Sequence, residues 1–198
     1  MLHRVNVVIF DFDGTLSESD SSFEFWRYCF KRSWRTRLYF PLTVFGIIIR
    51  MFNHSGIFWR EISRMFTNKD IINKYANGFV GEHKKRRFGW TKEQVNRERS
   101  AGNIAVLISA SPDYLINKLI NDIKFDAVIT SKMDTEKPWK YKFLCWGKNK
   151  VLAFDEWATK NKYLPNVVRS YSDSVSDTPI MNIAKDKVWI DSKTGLRK

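Results

Sequence analysis

With 198 residues, 43% of them apolar and 28% charged, the chain is long enough for one α/β domain carrying an insertion, and no low-complexity tract or internal repeat points to a disordered or fibrous class. Two cysteines, Cys29 and Cys145, are too few for a disulfide framework and fit a reducing compartment. The net charge of +13 is localised: residues 21–100 hold 17 Lys/Arg against 6 Asp/Glu, and 13 of the 30 aromatic residues fall between Phe23 and Phe66. A basic, aromatic-rich module inserted in a nearly neutral chain, facing an anionic partner, is the reading this supports.

The N-terminal "MLHRVNVVIF" runs into a strand pattern over 5–10 with no small-residue cleavage site, so no secretory signal is expected and a cytoplasmic location follows. Asp20 and Ser21 can cap a helix from about Ser22 to Lys31. "LYFPLTVFGIII" at 38–49 is an apolar run with basic flanks, and helical patterns resume at 57–66, 69–80 and 91–100. "NIAVLIS" at 103–109 is a second buried strand, followed by a helix that Pro112 can start. "DAVITS" at 126–131 is a third. After it come a loop or hairpin with Pro138 and Gly147, a helix over 148–161, a strand over 166–173, a short helix after Ser176, and a fifth strand over 186–191. Strands separated by helices predict an α/β fold: a doubly wound parallel sheet formed by 1–20 and 101–198, with 21–100 as an inserted α-helical cap. The site of such a sheet lies at the carboxyl ends of its strands, where Asp11, Asp13, Ser109 and Asp173 stand.

These side chains suit phosphoryl transfer. A carboxylate at Asp11 can attack phosphorus and form an aspartyl-phosphate. Asp13 can protonate the leaving oxygen and then deprotonate water. Gly14 permits a turn that aims the amides of Phe12 and Asp13 at phosphoryl oxygens, although "DFDGT" is also an ordinary polar turn. Ser109 and the amide of Ala110 can hold a phosphate oxygen, and Lys150 in "CWGKNKV" can neutralise charge. In "YSDSVSDTPIM", Asp173 joined with Asp11 suits Mg²⁺, and Asp177 can hold a metal water or orient Lys150. A cation would compensate the crowded carboxylates.

Taken in order, "DFDGT", "LISAS", the lysine and "SDSVSD" resemble the four motifs of the haloacid dehalogenase superfamily, in its phosphatase branch. The dehalogenases proper lack the second aspartate of "DFD". The helical insertion resembles the cap of the phosphoserine-phosphatase-like subfamily, and "DSSFEFWRYCFKR", "SASPDYLI", "CWGKNKV" and "YSDSVSDTP" are similar to bacterial phosphatidylglycerophosphatases. The resemblance implies a Rossmann-like core, with Asp11 as nucleophile and Asp13 as acid/base. It further implies Ser109 and Lys150 on phosphate, and Asp11, Asp173 and the Asp13 carbonyl on Mg²⁺. Ser172 departs from the pattern, since many members have glycine there.

The apolar run is 12 residues, short of the ~20 that span a bilayer. With Arg27, Lys31, Arg32, Arg35 and Arg37 and the rings of Trp26, Trp34 and Tyr39 around it, it fits a helix or hairpin in the headgroup layer of an anionic membrane, or else a buried cap helix. "HKKRR" at 83–87 reads as a solvated basic face; without a reading motif, nucleic acid is not expected. The expected substrate is a phosphomonoester, on a lipid or on a soluble metabolite, at the cytoplasmic face of the inner membrane or in the cytoplasm. A non-catalytic binding relative is the other class, and the intact aspartate and lysine set argues against it.

Overall fold

The computed structural model describes residues 1–41, 44, 45, 48 and 68–198. The helical pattern at 57–66 and much of the apolar run therefore lie outside the described residues. The first strand, β1 (His3–Phe10), sets the architecture. Val8 and Phe10 enter one hydrophobic cluster while Val7 and Ile9 enter another, so both faces are covered and the strand must be central. It pairs in parallel with β2 (Ile104–Pro112) on one side and β5 (Tyr163–Ser172) on the other. With β3 (Ala127–Met133), β4 (Tyr141–Phe143) and β6 (Asp186–Trp189), the sheet order is β4-β3-β2-β1-β5-β6, antiparallel only between β3 and β4.

Of the loop or hairpin expected after the third strand, the structure has the hairpin: β4 pairs antiparallel with β3 across the turn that carries Pro138, although three residues are too few to show alternation in the sequence. Strand β5 begins earlier than the pattern suggests. Its Pro165, paired with Val5, lacks the amide donor that marks a regular strand.

Between β1 and β2 the described elements are helical. Asp20 caps α1 (Ser21–Arg32), accepting from the Phe23 amide at 2.9 Å, and a short α2 (Trp34–Leu38) follows. Asn68 caps α3 (Lys69–His83) in the same way at 2.9 Å. Gly78 permits its close approach to α1, since a Cβ there would lie 2.4 Å from the Tyr28 hydroxyl. Helix α4 (Thr91–Ser100), grouped with the insertion on sequence, packs on the sheet instead. Val95 is buried in the main core, Gln94 donates to Tyr171 Oη at 2.9 Å, and Glu98 pairs with Arg169. Together with α5 (Asp113–Leu119) it covers one face, and α6 (Lys148–Lys160) and α7 (Thr178–Met181) cover the other.

Much of the insertion's positive charge is engaged within the fold. Arg27 pairs with Glu24 at 3.6 Å, Arg32 with Glu82 at 2.8 Å, and Arg37 donates to the carbonyls of Phe30 and Lys31. "HKKRR" is not a solvated face either: His83 is buried, and Lys84 and Arg87 both hold Asp122, at 3.0 and 2.7 Å. Hydrogen bonds from Arg87, against some burial, keep the Asp122 carboxyl well below the usual range. Among the described residues, no helix is long and apolar enough to cross a membrane.

Candidate active site

Strands β1 and β5 are neighbours whose outgoing connections run to opposite sides of the sheet, and a parallel sheet opens a crevice at such a point. Phe10 ends β1 and Ser172 ends β5, so the next residues, Asp11 and Asp173, stand at its mouth. Beyond Asp11 the Phe12 carbonyl accepts the amides of Thr15, Leu16 and Ser17 at 3.2, 2.9 and 3.2 Å. Gly14 makes that turn at φ +75°, and a Cβ there would lie 2.2 Å from Asp173 Oδ2. Thr15 links the two carboxylates. Its hydroxyl lies 3.3 Å from Asp11 Oδ2 and 3.2 Å from Asp173 Oδ1, and it accepts the Asp173 amide at 3.0 Å.

Lys150 arrives from the first turn of α6, on the face that also buries Ala153 and Phe154. Only 2% exposed, it donates to Asp11 Oδ1 at 2.8 Å and to Asp177 Oδ2 at 2.7 Å. Ser172 donates to the same Asp177 oxygen at 2.8 Å and accepts the Ser174 amide at 3.2 Å. The serine that departs from the family pattern is thus an anchor for Asp177.

Asp13 faces elsewhere. Its Oδ2 accepts from the Ser111 hydroxyl at 2.5 Å and its Oδ1 from the Ser21 amide at 2.6 Å, at the start of α1. Ser109 is fully buried and its hydroxyl accepts the Ser111 amide at 3.1 Å. The Ala110 carbonyl accepts from Ser131 at 2.7 Å, and the Phe12 ring is buried near His83. Of the residues read from sequence, Asp11, Asp173, Asp177 and Lys150 lie together, and Asp13 and Ser109 are joined through Ser111. The contacts of Thr15, Ser111 and Ser172 were not foreseen, although all three stand within the motifs "DFDGT", "LISAS" and "YSDSVSDTPIM".

The charges are unbalanced. Burial raises Asp11 to about 7 against the pull of Lys150, with Asp177 and Asp13 adding to it. Burial and the charge of Asp20 raise Asp13 to about 7, against hydrogen bonds from Ser111 and Ser21. Burial also raises Asp173. At Lys150 burial opposes the charge, but Asp11 and Asp177 outweigh it and hold the ammonium above its ordinary value. Asp11 and Asp177 share the one ammonium of Lys150, while Asp173 beside them forms no ion pair among the described residues, so a cation next to Asp11 and Asp173 would balance the cluster. Among the described residues, no three His, Cys, Asp or Glu side chains form a closed cage. Two carboxylates joined through Thr15, with only oxygen donors, suit a hard divalent ion that keeps several waters.

No curated protein sequence matches the chain significantly. Solved structures share the fold. A protein of unknown function from Bordetella pertussis Tohama I superimposes with a TM-score of 0.75 at 13% identity, covering 94% of this chain and 90% of that one. A phosphoserine phosphatase holding a phospho-aspartyl intermediate analogue gives 0.59 at 14% identity over 94% and 87%. Cytosolic 5′-nucleotidase IIIB bound to cytidine gives 0.62 at 12% identity over 93% and 72%. The sequence model of the haloacid dehalogenase-like hydrolases matches residues 8–182, from within β1 to just past α7. The chain belongs to the haloacid dehalogenase-like hydrolase family.

Proposed function

We propose that the protein is a Mg²⁺-dependent phosphomonoester hydrolase that works through an aspartyl-phosphate on Asp11, with a lipid phosphate such as phosphatidylglycerophosphate as substrate. The observation that carries the reading is the buried Lys150 bridging Asp11 and Asp177 beside the carboxyl ends of β1 and β5. An Asp11 oxygen attacks phosphorus while the bond to the ester oxygen breaks, and protonated Asp13 gives that oxygen its proton. Water then attacks the phospho-Asp11, Asp13 takes the water's proton, and phosphate leaves with Asp11 restored. Raised to about 7, Asp13 is present in both protonation states near neutrality, as the two steps require. Reaching the ester oxygen takes a turn of its side chain away from Ser111 and the Ser21 amide.

Ser109 and the amides of Phe12 and Ala110 hold phosphoryl oxygens, Lys150 neutralises them, and Asp177, steadied by Ser172, orients Lys150. Mg²⁺, when bound by Asp11, Asp173 and the Asp13 carbonyl, supplies the remaining positive charge. The insertion from residue 21 to the residues before α4 acts as the cap over this crevice.

Support for a lipid substrate comes from the insertion and from the resemblance of four segments to phosphatidylglycerophosphatase C. Trp34 and Leu38 are each 66% exposed and Phe23 is 53% exposed, an amount of bare apolar surface that suits a peripheral site on a membrane. The test compares phosphate release from phosphatidylglycerophosphate in mixed micelles, from phosphoserine and from a nucleoside monophosphate, each with Mg²⁺ or with a chelator. The reading predicts chelator-sensitive turnover that is fastest on the lipid. Turnover confined to the soluble esters would overturn the lipid assignment, and no turnover on any would overturn the hydrolase. Changing Trp34 and Leu38 to Ser should weaken sedimentation with anionic vesicles, and unchanged sedimentation would remove the membrane surface.

A further inference from the structure

Away from the Asp11 cluster, a cavity of about 80 Å³ opens between α1 and α3. Four cations line it: Arg27, Lys31 and Arg32 from α1, and Arg86 from the turn after α3. Two of them are neutralised in place, Arg27 by Glu24 and Arg32 by Glu82. Lys31 and Arg86 have no carboxylate partner among the described residues. The floor includes His83, which is 2% exposed and stacked on Phe79 at 5.0 Å. Its Nε2 lies 3.4 Å from the Ser17 hydroxyl, and its Nδ1 is buried with no hydrogen-bond partner among the described residues.

A buried ring nitrogen left without a partner is costly, and so is positive charge gathered around a small cavity. An oxyanion relieves the second: it accepts from Lys31 and from Arg86 and lies against the His83 ring that lines the cavity. We propose that this cavity binds a phosphate-class oxyanion at a site separate from the catalytic crevice. None of its lining residues takes part in the proposed chemistry, so the site stands or falls independently of it.

The oxyanion can be free phosphate or the phosphate of a lipid headgroup. Helix α1 bears on the choice. Phe23, Trp26 and Phe30 form one i, i+3, i+7 stripe, and Glu24, Arg27 and Lys31 form the adjacent one, offset by a single residue. The exposed Phe23 at the head of the aromatic stripe, resting in a membrane interface, would hold Lys31 on the adjacent stripe near headgroup level.

The test follows the imidazole resonances of the full chain during a titration with inorganic phosphate, against a sodium chloride titration of matched ionic strength. There are three histidines, so His83 is readily resolved. The expected result is a saturable His83 shift with phosphate alone, lost in the double variant Lys31→Gln, Arg86→Gln while its far-UV circular dichroism stays unchanged. A shift that also follows chloride, or one that survives in the double variant, overturns the proposal, as does no shift at all. The source is read by co-sedimentation with phosphatidylcholine vesicles carrying either phosphatidic acid or an equal charge of phosphatidylserine. If a headgroup is the ligand, the double variant loses the preference for phosphatidic acid. If free phosphate is the ligand, both proteins sediment equally and the His83 shift remains the only signal of binding.

Discussion

Lys150→Met removes the one ammonium in the crevice while keeping an unbranched side chain of similar reach. The native ammonium is buried and bonded to Asp11 at 2.8 Å and to Asp177 at 2.7 Å, so the change leaves two carboxylates without their cation. Removing one partner of a buried pair costs about 3–5 kcal/mol. At about 2–4 °C per kcal/mol for a chain of this size, the metal-free variant should melt roughly 6–20 °C below wild type at neutral pH. The deficit has a sign that pH can check. Asp11 already titrates at about 7, and loss of Lys150 raises it further. A carboxyl with a raised folded-state value is stabilising at low pH and loses that contribution as pH rises, so the variant should approach wild type in acid. Adding Asp177→Asn to Lys150→Met should restore part of the loss, a coupling of about 0.5–3 kcal/mol. Calorimetry in chelator at neutral and at acidic pH reads all three. A neutral-pH melting temperature equal to that of wild type, or a deficit that grows in acid, would refute the clamp.

Gly14→Ala should weaken Mg²⁺-dependent turnover and stability together. Its backbone would be strained by about 1–2 kcal/mol at positive φ, and its Cβ would strike Asp173, which a Mg²⁺ titration of activity and a thermal melt will show. Ser172→Ala should cost about 1.5–3 kcal/mol by removing the hydroxyl that holds Asp177, read by denaturant unfolding, with reduced turnover because Lys150 loses its orientation. Burial and the Arg86 charge lower His83 from 6.5 to about 4, so the unfolded chain takes the proton first. Stability should therefore be full above pH 6.5 and fall by on the order of 3 kcal/mol as pH drops through 4, and His83→Phe, still able to stack on Phe79, should flatten that limb in a pH series of melts.

The strand ends were legible in the sequence because β1 and β2 are apolar runs and β5 carries the β-branched pair Val167 and Val168 between helical patterns, which puts Asp11 and Asp173 at one edge. Lys150 is one of 34 basic residues, and only the order of motifs singled it out; its burial depends on the face α6 turns to the sheet. Thr15, Ser111 and Ser172 were hidden for another reason. Small hydroxyl residues are common in turns and caps, so nothing local separates a hydroxyl that bridges carboxylates from one that ends a strand. Charge counts misled in a related way. They cannot distinguish a cation facing solvent from Arg37 on helix carbonyls or Arg87 on Asp122.

The central claim is a covalent bond between phosphorus and Asp11. It is tested most directly by mixing the protein with Mg²⁺ and a phosphomonoester that it turns over, quenching in acid, and mapping the phosphoryl group by mass spectrometry of peptides. With an ester whose leaving group needs no proton, such as p-nitrophenyl phosphate, Asp13→Asn should increase the trapped fraction, because only the second step then needs the acid/base. The account predicts one acid-stable, base-labile phosphoryl group on the peptide carrying Asp11, absent in Asp11→Asn. A label on any other residue, or sustained turnover by Asp11→Asn, would contradict it.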